Sequence, residues 1–179
     1  MHLTHIIKQK GYENIVFVLR RHVLILVRNL LMYIVLFAVP VGFYYGISYL
    51  FPGLLQGTVS YTLLILAGSI YYLSIWLFLF TTILDFYLDT WIVSNDRIIS
   101  IEQEGLFSRV ISEMDLYKTQ DVTSEIKGIF PTIFNYGNVV VQTAAAKDKF
   151  IFEQINNPHE VRRKIIDLVE GDKQHHKSQ

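Results

Sequence analysis

Cysteine is absent from the chain, which excludes disulfides, thiolate metal sites and cysteine nucleophiles. The histidines (His2, His5, His22, His159, His175 and His176) form no HExxH pair and have no carboxylates at metal-ligand spacing. There is no glycine-rich phosphate loop and no nucleophile elbow. The expectation is a non-enzyme with no catalytic, cofactor or metal residues and no small-molecule substrate. The largest absence is one of charge. From Asn29 to Leu84 there is no Asp, Glu, Lys or Arg.

That stretch, broken near its middle by Pro52 and Gly53, has room for two membrane-spanning helices and not three. Each crossing of ~30 Å of hydrocarbon needs about 20 apolar residues. The spans are expected at 30–50 and 61–84, with Phe51–Thr58 as the turn. So short a loop makes an antiparallel hairpin. Lys8, Lys10, Arg20, Arg21 and Arg28 precede it against the single acid Glu13, and the loop holds no base. The positive-inside rule then places both termini in the cytoplasm. The first span reads as an uncleaved signal anchor.

No ionisable group lies in either span. One there would cost about 2.5–3.5 kcal/mol and would mark an ion or proton path, so pumps and coupled transporters are disfavoured. Pro40 is expected to bend the first helix. Gly42 and Gly46, spaced GxxxG, and Gly68 in the second span allow close helix approach, within one hairpin or between hairpins. Ahead of the spans, residues 1–28 read as a cytoplasmic, interfacial segment. In it Arg20, Arg21 and Arg28 are expected to set topology and to anchor at lipid headgroups.

After the hairpin the pattern changes. Asp85 and Asp89, four apart, read as a solvated helix exit. Between Asp89 and Glu170 there are 9 Lys/Arg and 13 Asp/Glu, an acidic balance that disfavours nucleic acid. Short β-branched runs begin at Thr90, Arg97, Ser108, Thr119, Asn138 and Phe150 with turn residues between them, indicating an antiparallel meander. Gly105, Gly128 and Gly137 read as turn glycines. Asn157-Pro-His-Glu160 starts a helix whose face Val161, Ile165, Leu168 and Val169 is apolar. Gly171 is its expected stop, and 171–179 is expected to be a disordered tail. The loop side chains Ile129, Phe130, Ile133 and Phe134 either plug the end of the sheet domain or present a contact patch.

Trp91-Ile-Val-Ser-Asn-Asp-Arg97, Gly105-Leu-Phe-Ser-Arg109, Asp115-Leu-Tyr-Lys-Thr-Gln-Asp-Val122 and Gly128-Ile-Phe-Pro-Thr-Ile-Phe-Asn-Tyr-Gly137 together resemble the bacterial pleckstrin-homology-like membrane proteins (YdbS/YdbT-like, DUF304-type). The resemblance covers about 85–168, and Ser94 stands where that family usually shows Thr. It implies a split β-barrel of about seven strands capped by a C-terminal helix at 85–170, behind a two-helix transmembrane hairpin at 29–84, in a bacterial cytoplasmic membrane. Phosphoinositide-binding relatives gather cations at the first inter-strand turn. Here Ser94–Arg97 offers one cation beside one acid, and Lys147-Asp-Lys149 is similarly mixed. The expected function is a membrane-tethered, non-enzymatic scaffold with protein partners or self-association. An anionic-lipid sensor and an accessory subunit of a transporter or envelope enzyme are the alternatives.

Overall fold

The structure, a computed structural model, describes residues 13–143 and 149–177, with side chains described as far as Lys173. The expectations for Lys8, Lys10, His2, His5 and Lys147 fall outside the described residues. Two compact units result. One is Val23–Phe86; the other joins the chain up to His22 with the chain from Tyr87 onward.

The hairpin unit is formed by α1 (Val23–Leu50), α2 (Pro52–Gln56) and α3 (Thr58–Leu88). At 1.5 Å per residue the 28 residues of α1 and 31 of α3 extend about 42 and 46 Å. Both are long and apolar enough to cross a membrane, and only 11% and 6% of their most apolar segments are buried. A core helix of a water-soluble fold would show the reverse. α1 continues through Pro40, and Pro52 opens α2 at its first turn, where its missing N–H costs nothing.

Tyrosines join the two helices. Tyr33 Oη and Thr82 Oγ1 share a hydrogen bond of 2.9 Å. Tyr71 and Tyr72 donate to the carbonyls of Leu36 at 3.1 Å and Phe37 at 3.2 Å, and the Phe37 and Tyr72 rings stack at 5.7 Å. A phenol in apolar surroundings needs such an acceptor.

The β unit holds β1 (Ile15–Leu19), β2 (Thr90–Ser94), β3 (Arg97–Glu104), β4 (Ser108–Asp115), β5 (Thr119–Glu125), α4 (Ile129–Phe134), β6 (Tyr136–Thr143), β7 (Lys149–Asn156) and α5 (Pro158–Lys177). The strands form two antiparallel sheets, β1-β2-β3-β4 and β5-β6-β7. Seven strands and a C-terminal helix agree with the expected pleckstrin-homology-like order. The seventh strand corrects the reading of 1–28 as an interfacial segment. β1 lies before the hairpin in sequence and pairs with β2 after it, Leu19 opposite Trp91 and Val18 opposite Ile92. β1 takes the edge of the sheet, where pairing with β2 satisfies the backbone N–H and C=O groups on its inner side.

The core gathers Trp91, Val93, Ile98, Met114 and Leu116 with Val122, Val139, Val141, Phe152 and Ile155. α5 adds Val161, Ile165 and Val169, the i, i+4, i+8 stripe of an amphipathic helix. α5 passes through Gly171 and ends at Lys177, so the expected stop and tail are corrected as far as Lys177. Glycine lowers helix propensity by only about 1 kcal/mol, which does not by itself end a helix.

Candidate functional site

Two ion clusters bind the N-terminal strand to the rest of the β unit. Glu13, 4% exposed, accepts from Arg97 Nε and Nη2 at 2.9 Å each, and Arg97 Nη1 reaches Glu113 at 2.6 Å. This fork geometry raises the Arg97 pKa, chiefly through the Glu13 hydrogen bonds, with Glu113 adding and burial opposing. Arg97 is thereby committed to protein carboxylates. Ser94 closes the same turn, its hydroxyl accepting from the amides of Asp96 and Arg97. The Ser94–Arg97 turn is built for structure, with no converging cations for a phosphate.

The second cluster lies where the chain leaves for the hairpin. Arg21 Nη2 is 2.9 Å from both Asp89 and Glu153. Asp89 is 2% exposed and accepts from the Gln103 amide at 2.8 Å, which corrects its reading as a solvated helix exit. Arg21 is correspondingly an ion-pair residue of the β unit, whereas Arg20 and Arg28 are exposed. His22 stacks on Tyr136 at 4.9 Å, its amide donates to Gln154 O at 2.7 Å, and Arg21 bridges to Ile155. Burial lowers the His22 pKa.

These contacts define two ends of the β unit. At the end stitched to His22, β1 finishes, β2 starts, β6 starts and β7 finishes. The β3–β4 turn and α4 stand at the same ends of their sheets. In α4, Ile129, Phe130, Ile133 and Phe134 are 77, 70, 69 and 48% exposed. At these exposures they do not plug the end of the domain. Gly128, at φ 110°, turns the chain into α4. Gly137 is not a turn glycine: it lies within β6, and a Cβ there would overlap the Glu125 carbonyl oxygen.

Between the sheets lies a polar cleft of about 1240 Å³, reaching from Thr119, Thr143 and Lys149 at the opposite end of the second sheet to Ser100 and Glu102 beside the start of β2. Its walls include Ser100, Glu102, Ser112, Lys118, Lys149 and Lys173. Ser100 and Glu102 continue the inward-facing alternation begun by Ile98, so the inner face of β3 changes from apolar to polar along its length. Ser100 Oγ donates to Glu102 at 2.7 Å. Thr119, also on the wall and 3% exposed, has no hydrogen-bond partner for its hydroxyl among the described residues. No reading of the motifs identified this cleft. The signal for it was two polar residues on the core parity of a strand. Cations and carboxylates mix along it (Lys118 meets Asp115 at 2.7 Å).

Around Gly42, Gly46 and Gly68 an added Cβ would meet nothing within 4 Å, so contact inside the hairpin does not require glycine at these positions. Gly68 borders an apolar gap of about 590 Å³ between α1 and α3. Among the described residues no cluster of His, Cys, Asp or Glu is placed to hold a metal.

No protein-family model matches the chain, and no curated protein matches it. Among solved structures it is similar to a DUF1696 family protein with a pleckstrin-homology domain from Shewanella loihica PV-4, at 16% identity, 48% coverage of this chain, 70% coverage of that one and a TM-score of 0.35.

Proposed function

We propose that the chain is a bacterial pleckstrin-homology-like membrane protein of the DUF304 type whose hairpin crosses the cytoplasmic membrane with both termini inside. Its β domain then serves as a non-enzymatic scaffold, holding partner proteins at the inner surface of the bilayer. One observation carries this reading: the hairpin is inserted between β1 and β2 of one domain, and the halves are locked by the Glu13–Arg97 and Arg21–Asp89 pairs. A domain so built cannot dissociate from its anchor, as a diffusing lipid sensor must. The polar cleft and the open edges of β4 and β7 fit capture of an extended polypeptide segment, through backbone hydrogen bonds and side-chain pockets.

Crosslinking in native membranes tests the proposal, followed by mild-detergent purification and identification of what is bound. Partner proteins are expected, and their yield should fall when Ile151→Arg and Ser112→Arg obstruct the cleft. A strictly monomeric protein with no co-purifying partner would count against it. The full chain reconstituted in vesicles should capture partners equally with and without anionic lipid, showing no headgroup preference.

A further inference from the structure

The β unit has apolar groups concentrated at one end. Its four most exposed large apolar side chains are Phe107 at 99%, Ile129 at 77%, Phe130 at 70% and Ile133 at 69%. Phe107 stands on a turn and the other three on α4, all at the end where β1 finishes and β2 starts. Phe107 is in the β3–β4 turn, three residues beyond the end of β3. α4 is fastened to that end through its C-cap: Asn135 Nδ2 donates to Asn157 Oδ1 at 2.7 Å, and the next residue, Tyr136, stacks on His22. At the other end, the β2–β3 turn is Asn95-Asp96, and the turn Leu116–Lys118 exposes Tyr117 and Lys118 and buries Leu116. Scattered apolar residues are ordinary on a protein surface, but a contiguous apolar patch marks a contact.

The chain enters the hairpin from this same end, at both crossings and without a linker. Val23 of α1 follows His22 directly, and β2 begins two residues after Leu88. The last charge before the apolar run is Arg28, and the first after it is Asp85. From His22 to Arg28 is about 9 Å of helix, somewhat more than the ~5–7.5 Å of one headgroup layer, since bilayers measure ~30 Å in hydrocarbon and ~40–45 Å overall. We propose that Phe107, Ile129, Phe130 and Ile133 enter the interfacial layer of the inner leaflet and act as a third membrane attachment of the β domain. The occupant of the patch is the bilayer itself, which takes aromatic and aliphatic side chains at this depth without needing a specific headgroup.

The inference rests on the proposal that the hairpin spans the membrane, and the test separates the two. The cysteine-free chain accepts single substitutions. Full-length Phe130→Cys, Phe107→Cys, Lys118→Cys and Leu66→Cys variants are nitroxide-labelled and reconstituted in phosphatidylethanolamine/phosphatidylglycerol vesicles. Collision with oxygen and with a water-soluble relaxant is then measured for each. Labels at 66, 107 and 130 are expected to lose contact with the water-soluble relaxant, while the label at 118 keeps it. If 66 reads as lipid while 107 and 130 match 118, the third attachment is refuted and the spanning hairpin stands; the patch would then belong to a protein partner. If 66 also reads as water, both are refuted.

Discussion

Arg21 meets Asp89 at 2.9 Å, and the carboxylate side chain is 3% exposed while the guanidinium is 26% exposed. Removing the cation takes the counter-charge from a buried carboxylate. Arg21→Met is expected to cost about 3 kcal/mol, the low end for breaking a buried pair because water reaches the arginine. Arg20→Met, at an exposed position, should change stability by less than about 0.5 kcal/mol. Denaturant unfolding of the detergent-solubilised chain separates them; equal effects would return Arg21 to the role of a surface anchor. Gly137→Ala should destabilise strongly because its Cβ overlaps a backbone carbonyl, whereas Gly42→Ala should not.

His22 adds a pH dependence. Burial depresses its pKa below the ordinary 6.5, so the folded state favours neutral imidazole. Below about pH 6.5 the unfolded chain binds more protons than the folded one, and this contribution to stability is lost as pH falls toward the depressed value. NMR titration should give a His22 midpoint below 6.5, and His22→Phe should flatten the stability profile in that window.

At the level of strands and helices, β1 is the feature that local sequence conceals. Ile15-Val-Phe-Val-Leu19 is a short apolar run between charged groups, ahead of a longer apolar run. Short apolar runs fit strand, buried helix or interface alike, and the partner that decides the matter, β2, begins only at Thr90. The six later strands and the start of α5 were legible because their turn residues and alternation are local. α4 was legible as an unusually apolar loop, but whether it faced inward or outward depends on β6 and β7. The cleft needed the same non-local information, since only sheet pairing puts Ser100 and Ser112 opposite each other.

Deleting residues 13–22 should therefore unfold the β domain although the other six strands are intact. A fragment starting at Asp85 should gain amide-exchange protection only when a peptide covering residues 13–22 is supplied. Full protection without the peptide would show β1 to be dispensable.

For the whole chain, the inserted hairpin imposes an order of assembly. β1 and β2 can pair only if the residues flanking α1 and α3 lie on one side of the membrane. An arginine at the centre of α3, such as Leu73→Arg, costs about 2.5–3.5 kcal/mol in insertion. It should leave a fraction of chains with β2–β7 separated from β1 and open to protease. The cleft would be lost with the fold in those chains. Integrity of the cleft and membrane topology are thus coupled.

The most direct measurement is sidedness in intact cells, using a membrane-impermeant maleimide on single variants of the cysteine-free chain. Gln56→Cys in the hairpin turn should label from outside. Asn14→Cys beside β1 and Lys164→Cys on α5 should both stay protected until the inner membrane is opened. Protection of the Gln56→Cys variant, or labelling of the Asn14→Cys and Lys164→Cys variants from opposite sides, would contradict a single β domain pinned to one face of the membrane by a hairpin inserted within it.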